Sequence, residues 1–312
     1  MHDRLMKPGP FAYFEGEVRP TEDARVSIMT HSFNYGTALF EGIRGYYVPE
    51  EDNIFIFRLP EHVDRFVRNF NILNMAIPQS RKEIEDICCE VVRRSEFRED
   101  VYLRPLAYKS ETSLGPKVHD VASDWCCYAI KLGDYVDIDT GLDVVVSSWR
   151  RVSDNAIPSR AKTVGSYVNS SLASSEAKLA GFDEAIFLRE DGSVAEGSAM
   201  NIFIVADGKL ITPPESADIL VGITRNTVIE LAREELGLEV LERPIARSEL
   251  YICDECFFCG TGAQVAPVRS VDRRQLGDGT PGPISKQLQD LYFQVVQGKV
   301  PKYRHWCAPV YS

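Results

Sequence analysis

The chain has 312 residues, with 46 acidic and 35 basic side chains and a formal net charge of -11 at pH 7. That balance disfavours nucleic acid or an anionic membrane as partner, and 44% hydrophobic with 26% charged residues excludes a disordered chain. The length exceeds the usual single core, so two domains are expected. The opening "MHDRLMKPGPFAYFEGE" lacks an apolar run of signal-peptide length, and no stretch approaches the roughly 20 apolar residues of a membrane span, which points to a cytoplasmic protein.

In chain order, "FAYFEGEVRP" predicts a hairpin about a Glu-Gly turn, and "ARVSIMTHS" alternates again as a strand would. "NIFIFRLPEHVDRFVRNFNIL" changes period: a strand first, then a helix from Pro60 with Val63, Phe66, Val67 and Phe70 on one face and Arg65 on another. A second helix is expected over "SRKEIEDICCEVVRRSE", then strands at "VYLRPLAYKS" and "DWCCYAIKLG". The polar "GDYVDIDTG" reads as a linker. The resulting organisation is α+β: a small α+β domain over residues 1–136, a linker over 137–146, and a large, mainly β domain over 147–312. In that domain two Asp-Gly turns predict two hairpins within "FDEAIFLREDGSVAEGSAMNIFIVADGKLITPP". A helix capped by Thr224 and ended by Gly237 follows. The last helix carries Ile284, Leu288, Leu291, Tyr292, Val295 and Val296 on one face.

Several constellations carry candidate chemistry. In "SRAKTVGSYVNSS" Lys162 is the only charge between Ala161 and Asn169; enclosure lowers an ammonium pKa and frees the amine as a nucleophile, whereas a snorkelling surface lysine is the bland alternative. The loops "VGITRN" and "CGTGAQ" offer backbone N–H groups to a phosphate or are plain caps and turns; neither matches a nucleotide-binding pattern. Glu196 is a solvated turn residue or a buried partner for a ring nitrogen. Arg65 and Arg104 are surface charges or ligands of oxyanions, and Tyr35, Phe40, Tyr102 and Tyr135 are core aromatics or pocket walls. Cys253, Cys256 and Cys259 have a CxxCxxC spacing that suits an iron-sulfur cluster or zinc, but no fourth cysteine is correctly placed, and thiols also serve as small apolar groups.

The order "HSFNYGTALFEGIRGY", "FRLPEHVDRF", "YLRP", "AKTVGSY", "EGSAMNIF", "TPP", "GITRN", "GTGAQVAPVRSVD" resembles the class IV, fold type IV aminotransferases that use pyridoxal 5'-phosphate (D-amino acid aminotransferase-like in fold), most closely the branched-chain amino acid aminotransferases. The resemblance spans roughly residues 10–300. It implies that Lys162 is the Schiff-base lysine, that Tyr167 bonds the cofactor's phenolic oxygen and that Glu196 lies beside its pyridine nitrogen. Arg65, Gly222, Ile223, Thr224, Gly260 and Thr261 match the phosphate cup, and Leu220 the residue packed on the ring. Tyr35, Phe40, Gly42, Tyr102, Arg104 and, more loosely, Tyr135 match the substrate wall, while Thr261 and Gly262 match the turn that holds the α-carboxylate. The chain departs from the family at "KLGDY" and at "GTGAQ".

The implied activity is transfer of the amino group of L-leucine, L-isoleucine or L-valine to 2-oxoglutarate by a ping-pong cycle, in a homodimer or higher homo-oligomer. The partners are then amino acids and 2-oxo acids, with neither nucleic acid nor membrane. Rivals within the fold are a D-amino acid transaminase, an (R)-amine transaminase and an aminodeoxychorismate lyase. From another class, the rival is a metal or iron-sulfur protein built on the three cysteines.

Overall fold

Glu15 and Gly16, at φ 50° and 87°, make a tight turn of the kind that suits the twist of paired strands, and join β1 (Pro8–Phe14) to β2 (Glu17–Pro20). The computed structural model describes residues 8–133 and 139–311. It separates the chain into two units: Met1–Gly133 with Ala161–Gly165 and Gln294–Ser312, and Asp134–Arg160 with Ser166–Phe293.

In the first unit β1 and β2 are followed by α1 (His31–Tyr35), β3 (Ala38–Phe40), β4 (Ile43–Val48), β5 (Asn53–Phe57), α2 (Leu59–Asn69), α3 (Arg81–Arg94), β6 (Val101–Lys109) and β7 (Ser123–Lys131). The strand Cys307–Pro309 returns to pair with β5, and the sheet runs from it through β5, β4, β6, β7 and β1 to β2, with β3 alongside β6. Pro60 opens α2 where its missing N–H costs nothing, and Val63, Phe66 and Phe70 enter one core with Ile84, Cys88 and Val91 of α3 and Leu103 and Trp125 of the sheet. Ser80 and Glu83 form the reciprocal cap that starts α3.

The second unit holds β8 (Leu142–Arg150), α4 (Tyr167–Leu179), β9 (Glu184–Leu188), β10 (Val194–Gly197), β11 (Asn201–Ala206), β12 (Lys209–Thr212), α5 (Ile223–Glu234), β13 (Val240–Glu242), β14 (Glu255–Gly260), β15 (Gln264–Val271), β16 (Arg274–Gln275) and most of α6 (Pro283–Val296). Its sheet order is β10-β9-β8-β15-β14-β11-β12-β13, with β16 beside β15. Both Asp-Gly turns join the hairpins the sequence predicts, β9–β10 and β11–β12. Glu255 starts α6 by accepting the N–H groups of Ile284 at 2.9 Å and Ser285 at 2.7 Å, which places a carboxylate at the positive helix end.

Four expectations change. "ARVSIMTHS" forms no strand, because Val26, Ile28 and Met29 are exposed and alternation without a sheet to cover one face does not fix a strand. Residues from Leu142 of the expected linker belong to β8. The segment 161–165 and the C-terminal residues from Gln294, both expected in the large domain, cluster with the first unit, since Leu39 bridges Thr163 and Cys307–Pro309 extends the first sheet. Gly222, not Thr224, is the N-cap of α5, which leaves Thr224 within the first turn.

Cys256 and Cys259 lie on β14, where residues three apart face opposite sides. Burial pushes the Cys253 and Cys259 thiols up to about 12 and the Cys256 thiol well above its ordinary value. No helix among the described residues is long and apolar enough to cross a membrane.

Candidate active site

The expected residues divide between the units. In the first, Lys162 is half-buried on a segment pinned from both sides. Ala161 enters the core, Phe40 N–H donates to the Lys162 carbonyl at 3.0 Å, and Leu39 bridges Thr163. Gly36, at φ 67°, lets the chain pass Gly165 so closely that an added Cβ would lie 3.0 Å from its Cα. The backbone at Lys162 is therefore fixed against the end of β3, and its Nζ lies 5.0 Å from the centre of the Phe40 ring.

Phe40 also carries Arg104, whose Cζ is 4.3 Å above its ring and whose Nη2 donates to the Tyr102 hydroxyl at 3.0 Å. The Arg104 Nε is buried without an acceptor among the described residues. Gly42 makes room for this group: a Cβ there would run into the Tyr102 hydroxyl, so any larger residue must displace that ring. Phe40, Gly42, Tyr102, Arg104 and Lys162 thus form one cluster of aromatic, cationic and amine groups. Tyr35 is engaged elsewhere, its ring tilted against His31 and its hydroxyl receiving Gly115 N–H at 2.9 Å. Tyr135 lies outside the described residues.

Arg65 directs Nε and Nη2 at the two oxygens of Glu41, each at 2.7 Å, and His62 Nδ1 reaches the same carboxylate at 2.9 Å. Burial of Glu41 pushes its pKa upward, but the Arg65 charge and the His62 and Arg65 hydrogen bonds outweigh it and hold the carboxyl down at about 2. Burial lowers the His62 pKa against the opposing pull of Glu41, so the imidazole donates while neutral.

In the second unit Glu196 is buried on β10. Arg151 Nη2 lies 3.0 Å from its Oε1, and its Oε2 accepts Asn201 Nδ2 at 3.1 Å and Leu220 N–H at 3.3 Å. Arg151 is itself held by the Asp218 carbonyl at 3.1 Å. Such partners keep a buried carboxylate ionised where desolvation alone would neutralise it. Asn201 Nδ2 also donates to the Leu220 carbonyl at 2.9 Å, which fixes the segment leading to α5.

At the start of α5, a Cβ on Gly222 would fall 2.1 Å from Asn201 Oδ1. Ile223 and Thr224 are buried there, and the N-cap Gly222 brings no side chain to the first N–H groups of the helix, an arrangement in which an anion can serve as the cap. Gly260 and Gln264 close the hairpin whose loop is Thr261–Ala263, with Gln264 at φ 60°. Tyr167 is half-buried at the first residue of α4.

Each unit by itself supplies groups of a kind that an aromatic cofactor with a phosphate needs: the second a buried carboxylate that suits a ring nitrogen and a helix N-terminus that suits a phosphate, the first a guanidinium and an amine. Four residues are not singled out by the sequence, two in each unit: Glu41 and His62 beside Arg65, and Asn201 and Arg151 beside Glu196. Glu41 and His62 stand inside quoted motifs, and the signal was a carboxylate between Phe40 and Gly42. Asn201 and Arg151 carried no pattern of their own.

The family profile described as "Amino-transferase class IV" matches residues 38–271. A probable branched-chain-amino-acid aminotransferase of Aquifex aeolicus is 52% identical over 302 residues, 97% of each chain. Among solved structures, the branched-chain aminotransferase of Thermoproteus uzoniensis with norvaline aligns at TM-score 0.93 and 40% identity, covering 97% of this chain and 100% of the other. The PLP-form of the branched-chain amino acid aminotransferase of Thermobaculum terrenum gives TM-score 0.93 and 40% identity, with 98% and 99% covered.

Proposed function

The chain belongs to the class IV aminotransferases, among the branched-chain enzymes, and on that footing we propose that it transfers the amino group of L-leucine, L-isoleucine or L-valine to 2-oxoglutarate with pyridoxal 5'-phosphate as cofactor. The observation that carries this reading is Glu196, a buried carboxylate paired with Arg151 and accepting from Asn201 Nδ2 and Leu220 N–H. When bound, the cofactor supplies a protonated ring that accepts the electron pair left at the substrate's Cα. Glu196 holds the proton on the ring nitrogen. Lys162 holds the cofactor through its amine and, once displaced, carries the proton from Cα. Arg65, Thr261 and the first N–H groups of α5 bind the phosphate, with Gly222 and Gly260 allowing close backbone approach. Tyr167 would donate its hydroxyl to the phenolic oxygen, and Leu220 would pack on the ring.

Substrate side chains meet Phe40, Gly42 and Tyr102. The half-reactions alternate in a ping-pong cycle, so one pocket accepts both an aliphatic chain and a γ-carboxylate. Arg104, held over Phe40 with its Nε lacking an acceptor among the described residues, suits the second. The Thr261–Gly262 turn holds the α-carboxylate through its N–H groups.

The protein acts as a homodimer or higher homo-oligomer in the cytoplasm. Ile28, Phe33 and Leu114 are 79%, 70% and 80% exposed, and their segments are tied together by His31 N–H to the Glu111 carbonyl and by Tyr35 to Gly115. A second copy would cover this apolar surface.

The reading is tested by mixing holoenzyme with L-leucine, and separately with D-alanine, in the absence of a 2-oxo acid. L-Leucine alone is expected to convert the cofactor's absorbance to that of the aminated form. Conversion by D-alanine alone would move the assignment to the D-amino acid branch.

A further inference from the structure

Glu41 is a fully buried ionisable group that the roles above leave unused. It stands between Phe40 and Gly42, and its own N–H donates to the Pro105 carbonyl at 2.8 Å, next to Arg104. Burying a carboxylate is tolerated when an opposite charge and enough donors replace water. Both come from α2, where His62 and Arg65 lie three residues apart and so share a face.

The consequence runs equally from carboxylate to arginine. With Nε and Nη2 both engaged at 2.7 Å, the guanidinium plane of Arg65 is held in a bidentate pair. Neutral His62 adds a third donor without adding charge, so the cluster carries one anion and one cation. Glu41 therefore weakens the positive field of Arg65 while fixing its direction, and what it contributes to a bound anion is orientation.

We propose that Glu41, backed by His62, is the positioning residue that holds Arg65 in the orientation that grips the cofactor's phosphate, and that it ties this anchor to the Phe40–Arg104 wall. The proposal rests on the reading of Arg65 as a phosphate ligand. Because Glu41 continues directly from Phe40 and reaches α2, a disturbance of the anchor is transmitted to the substrate wall through one residue of backbone.

The test compares two ligands that differ only in the phosphate. The full-length protein, freed of cofactor, is titrated with pyridoxal 5'-phosphate and with pyridoxal, following absorbance, for the unsubstituted chain and for Glu41→Gln, His62→Leu and Arg65→Ala. An amide in place of the carboxylate presents a donor to donors, so Glu41→Gln is expected to weaken the phosphate-bearing ligand by about tenfold to a hundredfold and leave pyridoxal unchanged. His62→Leu, which keeps the ion pair, moves the same way by less, and it carries the test alone if Glu41→Gln does not fold. Equal loss for both ligands, or no loss for either, in these two variants overturns the role of Glu41. Arg65→Ala separates the two claims. If it abolishes the preference for the phosphate while Glu41→Gln does not, only the positioning role falls; if it leaves the preference intact, the reading of Arg65 falls and the positioning role with it.

Discussion

Each unit holds a buried carboxylate with a basic partner, Glu41 in the first and Glu196 in the second, and each makes a prediction at the scale of one side chain. Arg151 Nη2 and Glu196 are 3.0 Å apart and both buried, so Arg151→Met leaves a desolvated carboxylate without its cation. The expected cost is about 3–5 kcal/mol, read from urea unfolding. The second prediction concerns pH. Glu41 has an ordinary value of 4.5 and is held at about 2 in the folded protein. A depressed carboxyl contributes stability that is present above its unfolded value and is lost as pH falls through the folded one. Melting temperature should thus drop between about pH 5 and pH 2, and Glu41→Gln should flatten the part of that drop that belongs to this group. A variant with an unchanged pH profile would contradict the assignment.

At the scale of elements, the start of α5 is the most demanding local structure. A Cβ on Gly222 would fall 2.1 Å from Asn201 Oδ1, so Gly222→Ala must displace the amide that donates to Glu196. We expect about 1–3 kcal/mol of destabilisation and weakened cofactor binding together, measured by thermal unfolding and by titration. Most elements were legible because their signals are local: the Glu-Gly and Asp-Gly turns, Pro60 at the start of α2, the Ser80–Glu83 cap and the 3.6-residue period of α2, α3, α5 and α6. The cap of α5 falls two residues before Thr224: threonine and glycine cap about equally well, and contact with Asn201 favours glycine at 222. Alternation over "ARVSIMTHS" misled because nothing in a sequence says whether an apolar face meets a sheet.

For the whole molecule, what the sequence could not convey is which distant segments pair. Residues 161–165 and the C-terminal strand join the first unit through single bridges and edge pairing, neither of which leaves a periodic trace. The resemblance assigns the motif residues of the proposed site but says nothing of their supports, since Arg151 and Asn201 meet Glu196 only on folding. The exposed apolar surface at Ile28, Phe33 and Leu114 predicts assembly: light scattering should give a multiple of the 35.1 kDa chain mass, and Phe33→Asp should shift it towards the monomer. The account turns on Lys162. Borohydride reduction of the holoenzyme followed by peptide mass spectrometry should find the pyridoxyl group on the peptide that contains Lys162. A label on another lysine, or turnover of L-leucine persisting in Lys162→Ala, would contradict it.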